Sequence, residues 1–417
     1  MSFKFLHAAD IHLDSPLRGL ALSAEDRAEA FRSASRKAFV NLVEAAVQQE
    51  VAFLAVAGDL FDGDWKDLKT GLFFAEQMGH LARAGIRVFV VYGNHDAETV
   101  LSRKLPWPDN VHIFSSRRAE TEEIENLKIA VHGRSFPRPD TTENIALDYP
   151  APKPGWFNVG ILHTACDGRE GHEPYAPCTL DQLVAHNYDY WALGHVHKRE
   201  VLNEDPHVVF PGNLQGRHIR ETGPKGATLV SVSDGQVSEL ESLVLDAARW
   251  AHIDLDLTGL SRREEVLTAL GQRLRDEVSD AGNRPLATRV EFVGSTEIHA
   301  ELVGDEIGLR GDIETIALGV SDTIWIEKVK ISTTDPSEDS LALRSDVLGE
   351  LVQLIGEAAK DPEIQTKLAG EIRALSTRVP KSGTEDLDFP TEESVGDVFE
   401  AARELILGKL RASEGRS

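Results

Sequence analysis

Cysteine is scarce in this sequence, which has only Cys166 and Cys178 among its 417 residues. One possible pair in so long a chain argues against a disulfide framework, and the spacing around the two residues does not fit a zinc ribbon. No run of about 18 apolar residues occurs, so no membrane span is expected. Residues 1–7 lead directly into a predicted strand and lack a signal-peptide pattern. We therefore expect a cytoplasmic protein in a reducing cytosol.

Positively charged residues are also few, since the sequence has 44 Lys and Arg residues against 69 Asp and Glu residues, and the net charge is -25. Taken alone, this argues against a nucleic-acid partner, because phosphate binding normally shows as a basic footprint. Basic residues nevertheless flank the loops described next, namely Arg18, Lys66, Lys69, Arg103, Lys104, Arg134, Arg138, Lys198, Arg199, Arg217 and Arg220. Two interpretations stay open: surface charge that confers solubility, or a local phosphate-binding rim on an acidic body.

Five polar clusters each follow an apolar run. They are Asp10-Ile-His12, Gly58-Asp59-Leu-Phe-Asp62, Gly93-Asn94-His95-Asp96, Leu162-His163-Thr164 and Gly194-His195-Val-His197. The apolar runs predict buried strands, and open α/β sheets place their sites outside the carboxyl ends of their strands. We therefore expect all five clusters to meet along one edge. Asp10 and His12 are two residues apart, so in an extended segment their side chains would share a face.

The residue types in these clusters indicate a metal site. Carboxylate and amide oxygens mixed with imidazoles suit Mn²⁺, Fe²⁺ or Zn²⁺ better than Ca²⁺. Seven of these side chains are our candidate ligands: Asp10, His12, Asp59, Asn94, His163, His195 and His197. They are too many ligands for one ion, but they fit two ions that share a bridging carboxylate. Two ions about 3.5–4 Å apart can clamp a phosphoryl group and the water that attacks it. Asp59 is our candidate for the bridge, because it lies in the sharpest turn.

Strand and helix signals alternate at the start of the chain. Strands are predicted near residues 3–8, 51–56 and 86–92, and helices near 23–49 and 66–84. This order favours an α/β fold with parallel strands and right-handed crossovers.

Two smaller regions follow a first domain that we place at residues 1–245. A small α+β domain is predicted over residues 249–333, with a helix that opens at a capping box from Ser261 to Glu264. Residues 341–417 are predicted to form an acidic, helical C-terminal region.

The five clusters resemble, in the same order, the five motifs of the calcineurin-like metallophosphoesterase superfamily. This resemblance covers residues 1–245 and implies an α/β fold in which two sheets form an α-β-β-α sandwich. The stretch His7-Ala-Ala-Asp-Ile-His-Leu-Asp-Ser-Pro-Leu17 is similar to the SbcD-type DNA repair exonucleases, and to their YhaO-like branch in particular. In that family a small capping domain follows the catalytic domain, which agrees in size and place with residues 249–333.

The resemblance also implies a cofactor of two divalent metal ions, with Mn²⁺ expected and Fe²⁺, Mg²⁺ or Zn²⁺ as alternatives. It assigns the ligands as Asp10, His12 and His197 for one ion, Asn94, His163 and His195 for the other, and Asp59 as the bridge.

The remaining candidate residues lie around the metal ligands. The resemblance implies that His95 stabilises the transferring phosphate and protonates the leaving oxygen, as a catalytic general acid. Asp62 stands where many superfamily members have the carboxylate that orients this histidine, whereas SbcD-type nucleases often have His there. Arg18 and Arg217 are candidate substrate-binding residues. Asp96 could orient either His95 or the turn that carries it.

Three functions compete on this evidence. The first is a metal-dependent DNA nuclease, an exonuclease or endonuclease that hydrolyses phosphodiester bonds with a metal-activated water. The second is a phosphatase or phosphodiesterase of a small-molecule or protein substrate, favoured by Asp62 and the acidity. The third is a subunit that regulates or anchors a coiled-coil ATPase of the SbcC or YhaN kind, with the acidic tail as docking element. The resemblance further suggests a homodimer.

Overall fold

A computed structural model of the chain describes residues 2–15, 31, 33–62, 68–98, 107–168, 174–336 and 347–376, with 395, 396, 398, 399, 402 and 406. These residues group into two units, one up to Arg249 and the other from Trp250 onwards. No helix in the described ranges has the length and apolar content needed to cross a membrane.

Six strands form the first sheet of the first unit: β1 (Phe3–Ala8), β2 (Phe53–Ala57), β3 (Arg87–Val91), β4 (Val111–Ile113), β11 (Gly226–Ser233) and β12 (Gln236–Val244). Their order is β12-β11-β1-β2-β3-β4. Strands β1 to β4 are parallel neighbours, and β11 and β12 extend the sheet as an antiparallel hairpin. Helices α1 (Ala34–Gln48) and α2 (Leu68–Arg83) make the crossovers, as the alternating pattern predicts.

A second six-stranded sheet contains β5 (Glu120–Ile124), β6 (Ile129–Gly133), β7 (Phe157–His163), β8 (Tyr190–Gly194), β9 (Glu200–Glu204) and β10 (His207–Phe210). Its order is β5-β6-β7-β8-β10-β9, with β6, β7, β8 and β10 parallel. Two short helices, α3 (Asn94–Glu98) and α4 (Leu180–Ala185), complete the unit. The β9–β10 hairpin is not predicted by the sequence, because β9 is half-exposed and has no clear apolar alternation.

The two sheets pack face to face around one apolar core. Phe5 and Phe53 stack with ring centroids 4.7 Å apart, and the strands of the second sheet contribute Val159 and Ile161 to the same cluster. Alternate residues of the first sheet face the other way and pack against α1 and α2. A further cluster around Trp191 covers the outer face of the second sheet. The predicted two-sheet α-β-β-α sandwich is therefore confirmed.

The second unit contains a three-stranded sheet of β13 (Arg249–Asp256), β14 (Leu286–Ser295) and β15 (Ile324–Thr334), with α5 (Arg263–Asp280), α6 (His299–Gly304) and α7 (Glu306–Val320). Helices α6 and α7 are not predicted by the sequence. The predicted capping box is wrong, because the N-cap residue is Arg262 and makes no side-chain cap bond. Instead, the Glu265 carboxylate accepts a hydrogen bond from the Ser261 amide at 3.2 Å. Two further helices, α8 (Val347–Lys360) and α9 (Pro362–Ser376), agree with the predicted helical C-terminal region.

Candidate metal centre

The carboxyl ends of β1, β2, β3, β7 and β8 bring the five polar clusters together. Potential metal-ligating atoms lie within 4.8 Å of one another in three overlapping groups: Asp10, His12 and His197; Asp10, Asp59 and His163; and His12, Asp62 and His95. The other two predicted ligands are close by. The side-chain oxygen of Asn94 lies 3.0 Å from Nε2 of His163, and the His195 ring centroid lies 5.2 Å from that of His163.

Several of these residues have an unusual backbone conformation. Asp10, His12 and Asp59 have φ angles of 50°, 44° and 51°, in the left-handed region that residues other than glycine rarely adopt. The expected extended segment from Asp10 to His12 is therefore wrong, since β1 ends at Ala8 and the chain then turns. Hydrogen bonds from the amides of Asp10 and His12 to the carbonyls of Gly58 and Asp59, at 3.0 and 2.9 Å, hold the turn. Such conformations cost about 1–3 kcal/mol each and concentrate at functional sites.

Three histidines of the centre share one pattern of hydrogen bonding. Each places Nδ1 at hydrogen-bond distance from an acceptor that is not one of the seven predicted ligands: Asp62 at 2.9 Å for His12, the Ala57 carbonyl at 2.9 Å for His163, and Glu221 at 2.6 Å for His197. Carboxylates and carbonyls only accept, so His12 and His197 carry their protons on Nδ1 and a lone pair on Nε2. Both nitrogens of His163 face acceptors, since its Nε2 lies 3.0 Å from the Asn94 oxygen, and a cation bound between these two atoms would leave the proton on Nδ1. This is the arrangement in which metal-binding histidines are usually held.

The Nε2 atoms of the same histidines face the carboxylates of the centre. They lie 3.8 Å from Asp59 for His12, 3.5 Å from Asp59 for His163, and 3.8 Å from Asp10 for His197. These distances are too long for hydrogen bonds and suit two ligands of one cation. The His12 Nε2 atom is buried and has no hydrogen-bond partner, which would be unfavourable unless a cation occupied the site.

The electrostatics of the centre also favour cations. Burial lowers the pKa of His12 and His163, which keeps both rings neutral and able to bind metal. Burial and the neighbouring charge of Asp59 raise the pKa of Asp10 well above its usual range. Divalent cations would relieve the repulsion between these two carboxylates. The donor set of oxygens and imidazole nitrogens therefore fits the two ions expected from the sequence.

His95 lies on the open side of the centre. Its side chain is 39% exposed, whereas that of His12 is fully buried, and its Nδ1 lies 3.2 Å from the Asp62 carboxylate. Burial alone would lower the pKa of His95, but the hydrogen bond with Asp62 and the charge of Asp59 raise it to about 9. The His95 amide also donates to Asp59 at 3.1 Å. A protonated ring is thus held beside the metal ligands.

Asp96 holds the turn rather than His95. Its buried carboxylate accepts hydrogen bonds from the amides of Leu60, Phe61 and Gly93, at 3.2, 2.8 and 3.0 Å. It therefore ties the loop after β2 to the loop after β3. This resolves the alternative that the sequence left open.

Close packing at Gly93 gives a test of the centre's geometry. A Cβ atom at this position would lie 2.3 Å from Oδ1 of Asp59 and 2.8 Å from Cε1 of His163. We expect Gly93→Ala to weaken Mn²⁺ binding at least ~10-fold, and to lower the free energy of unfolding by about 1–3 kcal/mol through overpacking. Calorimetric Mn²⁺ titration and urea unfolding would measure the two effects.

Gly79→Ala on α2 is the matched control for that substitution. Its nearest new neighbour would be the Arg83 guanidinium at 3.6 Å, which is ordinary contact. Alanine should raise helix stability by up to about 1 kcal/mol there and leave metal binding unchanged. Equal effects of the two substitutions would show that close packing at Gly93 does not determine the geometry of the metal centre.

The other candidate residues fall into two groups. Arg217 lies near the centre, with one guanidinium nitrogen 3.7 Å from Asp62, whereas Arg18 lies outside the described residues. Arg134 and Arg138 do not contribute to a basic rim, because they pair with acidic residues of the same loop, Asp148 for the first and Asp140 and Glu143 for the second. Lys198, Arg199 and Arg220 are exposed next to the centre in sequence.

Glu221 is a residue of the centre that the sequence analysis missed. It lies on the loop between β10 and β11, and nothing in its own spacing distinguishes it. His7 and His132 are structural: His7 forms hydrogen bonds with Tyr190 and the Leu193 carbonyl, and His132 with Thr121 and Asn158. Cys166 and Cys178 are buried free thiols.

Comparisons with known proteins give two family matches and a relative. Residues 3–199 match the family described as calcineurin-like phosphoesterase, and residues 250–334 match the middle domain of metallophosphoesterase YhaO. An uncharacterized metallophosphoesterase YhaO of Bacillus subtilis is 39% identical over 297 residues, which cover 70% of this chain and 72% of that protein.

Two more distant similarities are also found. The DNA double-strand break repair protein Mre11 of Methanopyrus kandleri is 24% identical over 315 residues, which cover 68% of this chain and 66% of that protein. Among solved structures, TT1561 of Thermus thermophilus is 15% identical and covers 58% of this chain and 99% of its own, with a TM-score of 0.35.

Proposed function

Because this chain belongs to the calcineurin-like metallophosphoesterase family and is a relative of YhaO, we propose that it is a metal-dependent nuclease that hydrolyses phosphodiester bonds in DNA. The observation that carries the proposal is the convergence of Asp10, His12, Asp59, Asp62, His95, His163 and His197 at one edge of the sandwich. Hard oxygen and imidazole donors in such a cluster are suited to phosphoryl chemistry with two metal ions.

DNA is the proposed substrate because of the extent of one similarity. The match to the Mre11 repair protein runs over 315 residues, so it is longer than the segment 3–199 that the phosphoesterase family alone explains. A phosphatase relative would need to share only that catalytic segment. The exposed Lys198 and Arg199 also lie beside the metal centre in sequence, where a phosphate backbone could be bound despite the net negative charge of the chain.

Each residue of the centre has a defined task in this proposal. Asp10, His12 and His197 would hold one ion, Asn94, His163 and His195 the other, and Asp59 would contact both. When bound, the ions would neutralise the phosphate charge and lower the pKa of the attacking water, and Mn²⁺ is the proposed metal. His95, oriented by Asp62 at 3.2 Å, would donate its proton to the leaving oxygen.

Degradation of end-labelled linear DNA tests the proposal. With Mn²⁺, the wild-type protein should shorten DNA labelled at either the 5′ or the 3′ end, and the products of the two labels would give the polarity. Addition of EDTA should stop the reaction. Release of phosphate from para-nitrophenyl phosphate without any cleavage of DNA would contradict the proposal and favour the phosphatase function.

Arg217 is proposed to bind a substrate phosphate. Its side chain is 19% exposed beside Asp62, and its Nε atom is buried without a hydrogen-bond partner. We expect Arg217→Gln to raise KM for DNA roughly 10-fold, since charge-assisted hydrogen bonds contribute about 1.5–3 kcal/mol. The plot of log DNA affinity against log salt concentration should also become less steep, by about 1 unit of slope.

Arg220→Gln is the control for Arg217, because it removes the same charge from an exposed residue three positions away. It should change KM less than Arg217→Gln does. Equal effects of the two substitutions would mean that only the net charge of the loop matters.

A phosphatase is the second candidate function. The observation that favours it is Asp62 itself, which contacts both His12 and His95 at a position where SbcD-type nucleases often have His. The net charge of -25 also suits a substrate smaller than DNA.

A coiled-coil ATPase is the proposed partner, and the C-terminal helices are the proposed docking element. Helices α8 and α9 expose the apolar side chains of Leu354, Ile364 and Leu375. Co-purification of such an ATPase should therefore be lost when residues 341–417 are deleted, and its retention would exclude this docking role. A homodimer and a cytoplasmic location remain further proposals, and light scattering would test the first.

A further inference from the structure

A buried carboxylate on the loop between β10 and β11 lies directly behind one of the metal ligands. Glu221 is 7% exposed, and its Oε1 accepts a hydrogen bond from Nδ1 of His197 at 2.6 Å. It lies beyond residues 3–199, the part of the chain that matches the phosphoesterase family. Its placement therefore depends on a segment outside the five motifs.

The second oxygen of Glu221 is also fixed. Oε2 accepts hydrogen bonds from the amide of Arg217 at 2.7 Å and from the side-chain amide of Asn213 at 2.8 Å. Asn213 in turn forms a β-bridge with Ala9, the residue before Asp10. Both oxygens thus have partners, and the carboxylate cannot rotate without breaking contacts that reach the first polar cluster.

We propose that Glu221 is a positioning residue that holds His197 ready to bind the ion shared with Asp10 and His12. This inference rests on the proposed metal-dependent function. The carboxylate accepts only, so it fixes the proton of His197 on Nδ1 and directs the Nε2 lone pair towards Asp10, 3.8 Å away. A carboxylate behind a histidine also makes the ring a stronger ligand.

The effect should be confined to one of the two ions. His163, a proposed ligand of the other ion, donates its Nδ1 proton to the Ala57 carbonyl and has no contact with Glu221. Removing the Glu221 charge should therefore weaken the binding of one ion and leave the binding of the other unchanged. A purely structural role of Glu221 would instead weaken the binding of both ions.

Calorimetric titration of the metal-free, full-length protein with Mn²⁺ tests this proposal. The wild type should bind two ions, and Glu221→Gln should weaken one of them about 10- to 100-fold without change in the other. Glu221→Asp keeps the charge and should recover part of the lost affinity. Thermal unfolding of each metal-free variant shows whether it is folded, and Glu221→Asp serves as the test variant if Glu221→Gln is not.

Glu122→Gln is the matched control, because Glu122 also lies beside a histidine and an arginine, His112 at 3.6 Å and Arg87 at 2.6 Å, away from the centre. It should leave both ions unaffected. Equal weakening of both ions by Glu221→Gln, or of neither, would overturn the inference. Because the readout is Mn²⁺ binding, a wild type that binds two ions but does not cleave DNA would refute the nuclease and leave the role of Glu221 intact.

Discussion

Replacement of Asp59 by asparagine is expected to reduce Mn²⁺-dependent hydrolysis on the order of 10³-fold or more, since the metal ions supply several kcal/mol of transition-state stabilisation. Asp59 is the residue whose carboxylate faces both sides of the centre. Its Oδ2 lies 3.8 Å from Nε2 of His12 and 3.5 Å from Nε2 of His163. The substitution would keep an oxygen for the His95 amide but lose the charge that two ions would share.

Metal content separates this explanation from simple misfolding. Asp59→Asn should bind fewer than two Mn²⁺ ions by calorimetry while it keeps the circular dichroism of the wild type. Asp189→Asn is the control, because Asp189 accepts a hydrogen bond from the Asn158 amide at 2.6 Å next to the start of β8, the end of that strand opposite to His195. Full metal binding by Asp59→Asn would remove Asp59 from the role of bridge.

The sequence was most informative where local pattern and tertiary position coincide. A continuous apolar run that ends in polar residues, such as the run before Gly93, predicts both a buried strand and the edge at which its last residues emerge. Repetition of this pattern before Asp10, Asp59, His163 and His195 was enough to predict a shared edge. The α/β class with parallel strands and helical crossovers followed from the same runs, whereas the two-sheet sandwich was expected only from the family resemblance.

The sequence was least informative where a residue's role depends on a distant segment. The left-handed conformations of Asp10 and His12 are imposed by hydrogen bonds to the loop after β2, so the local pattern suggested an extended segment instead. Glu221 reaches His197 only because the loop after β10 returns to the centre, 24 residues along the chain. Neither contact leaves a periodic signal in the sequence.

Short elements were missed for a related reason. Strand β9 pairs only at the edge of its sheet, so few of its side chains need to be apolar. Helix α5 was predicted, but its start was predicted wrongly, because Ser261 and Glu264 have the spacing of a capping box whereas the Ser261 amide donates a hydrogen bond to Glu265. In both cases the stabilising contact involves the backbone, so many different sequences could form it and none of them leaves a distinct pattern.

His95→Gln should lower kcat for DNA on the order of 10²- to 10⁴-fold and leave Mn²⁺ binding unchanged, which is the range that general acid catalysis contributes. The reason is the position of the ring. His95 contacts Asp62 through Nδ1 at 3.2 Å and is 39% exposed, and its backbone amide donates a hydrogen bond to Asp59 that holds it next to the ligands. It can therefore reach a substrate oxygen without binding a metal ion itself.

A change of leaving group distinguishes proton donation by His95 from electrostatic stabilisation of the phosphate by the same ring. Bis(para-nitrophenyl) phosphate releases a weakly basic phenolate that needs no proton, so the loss in His95→Gln should be at least ~10-fold smaller with this substrate than with DNA. His112→Gln is the control, since His112 lies 3.6 Å from a carboxylate, Glu122, and is 31% exposed outside the centre. Equal losses with both substrates would mean that His95 stabilises the phosphate and does not transfer the proton, and a loss of Mn²⁺ binding would make it a ligand.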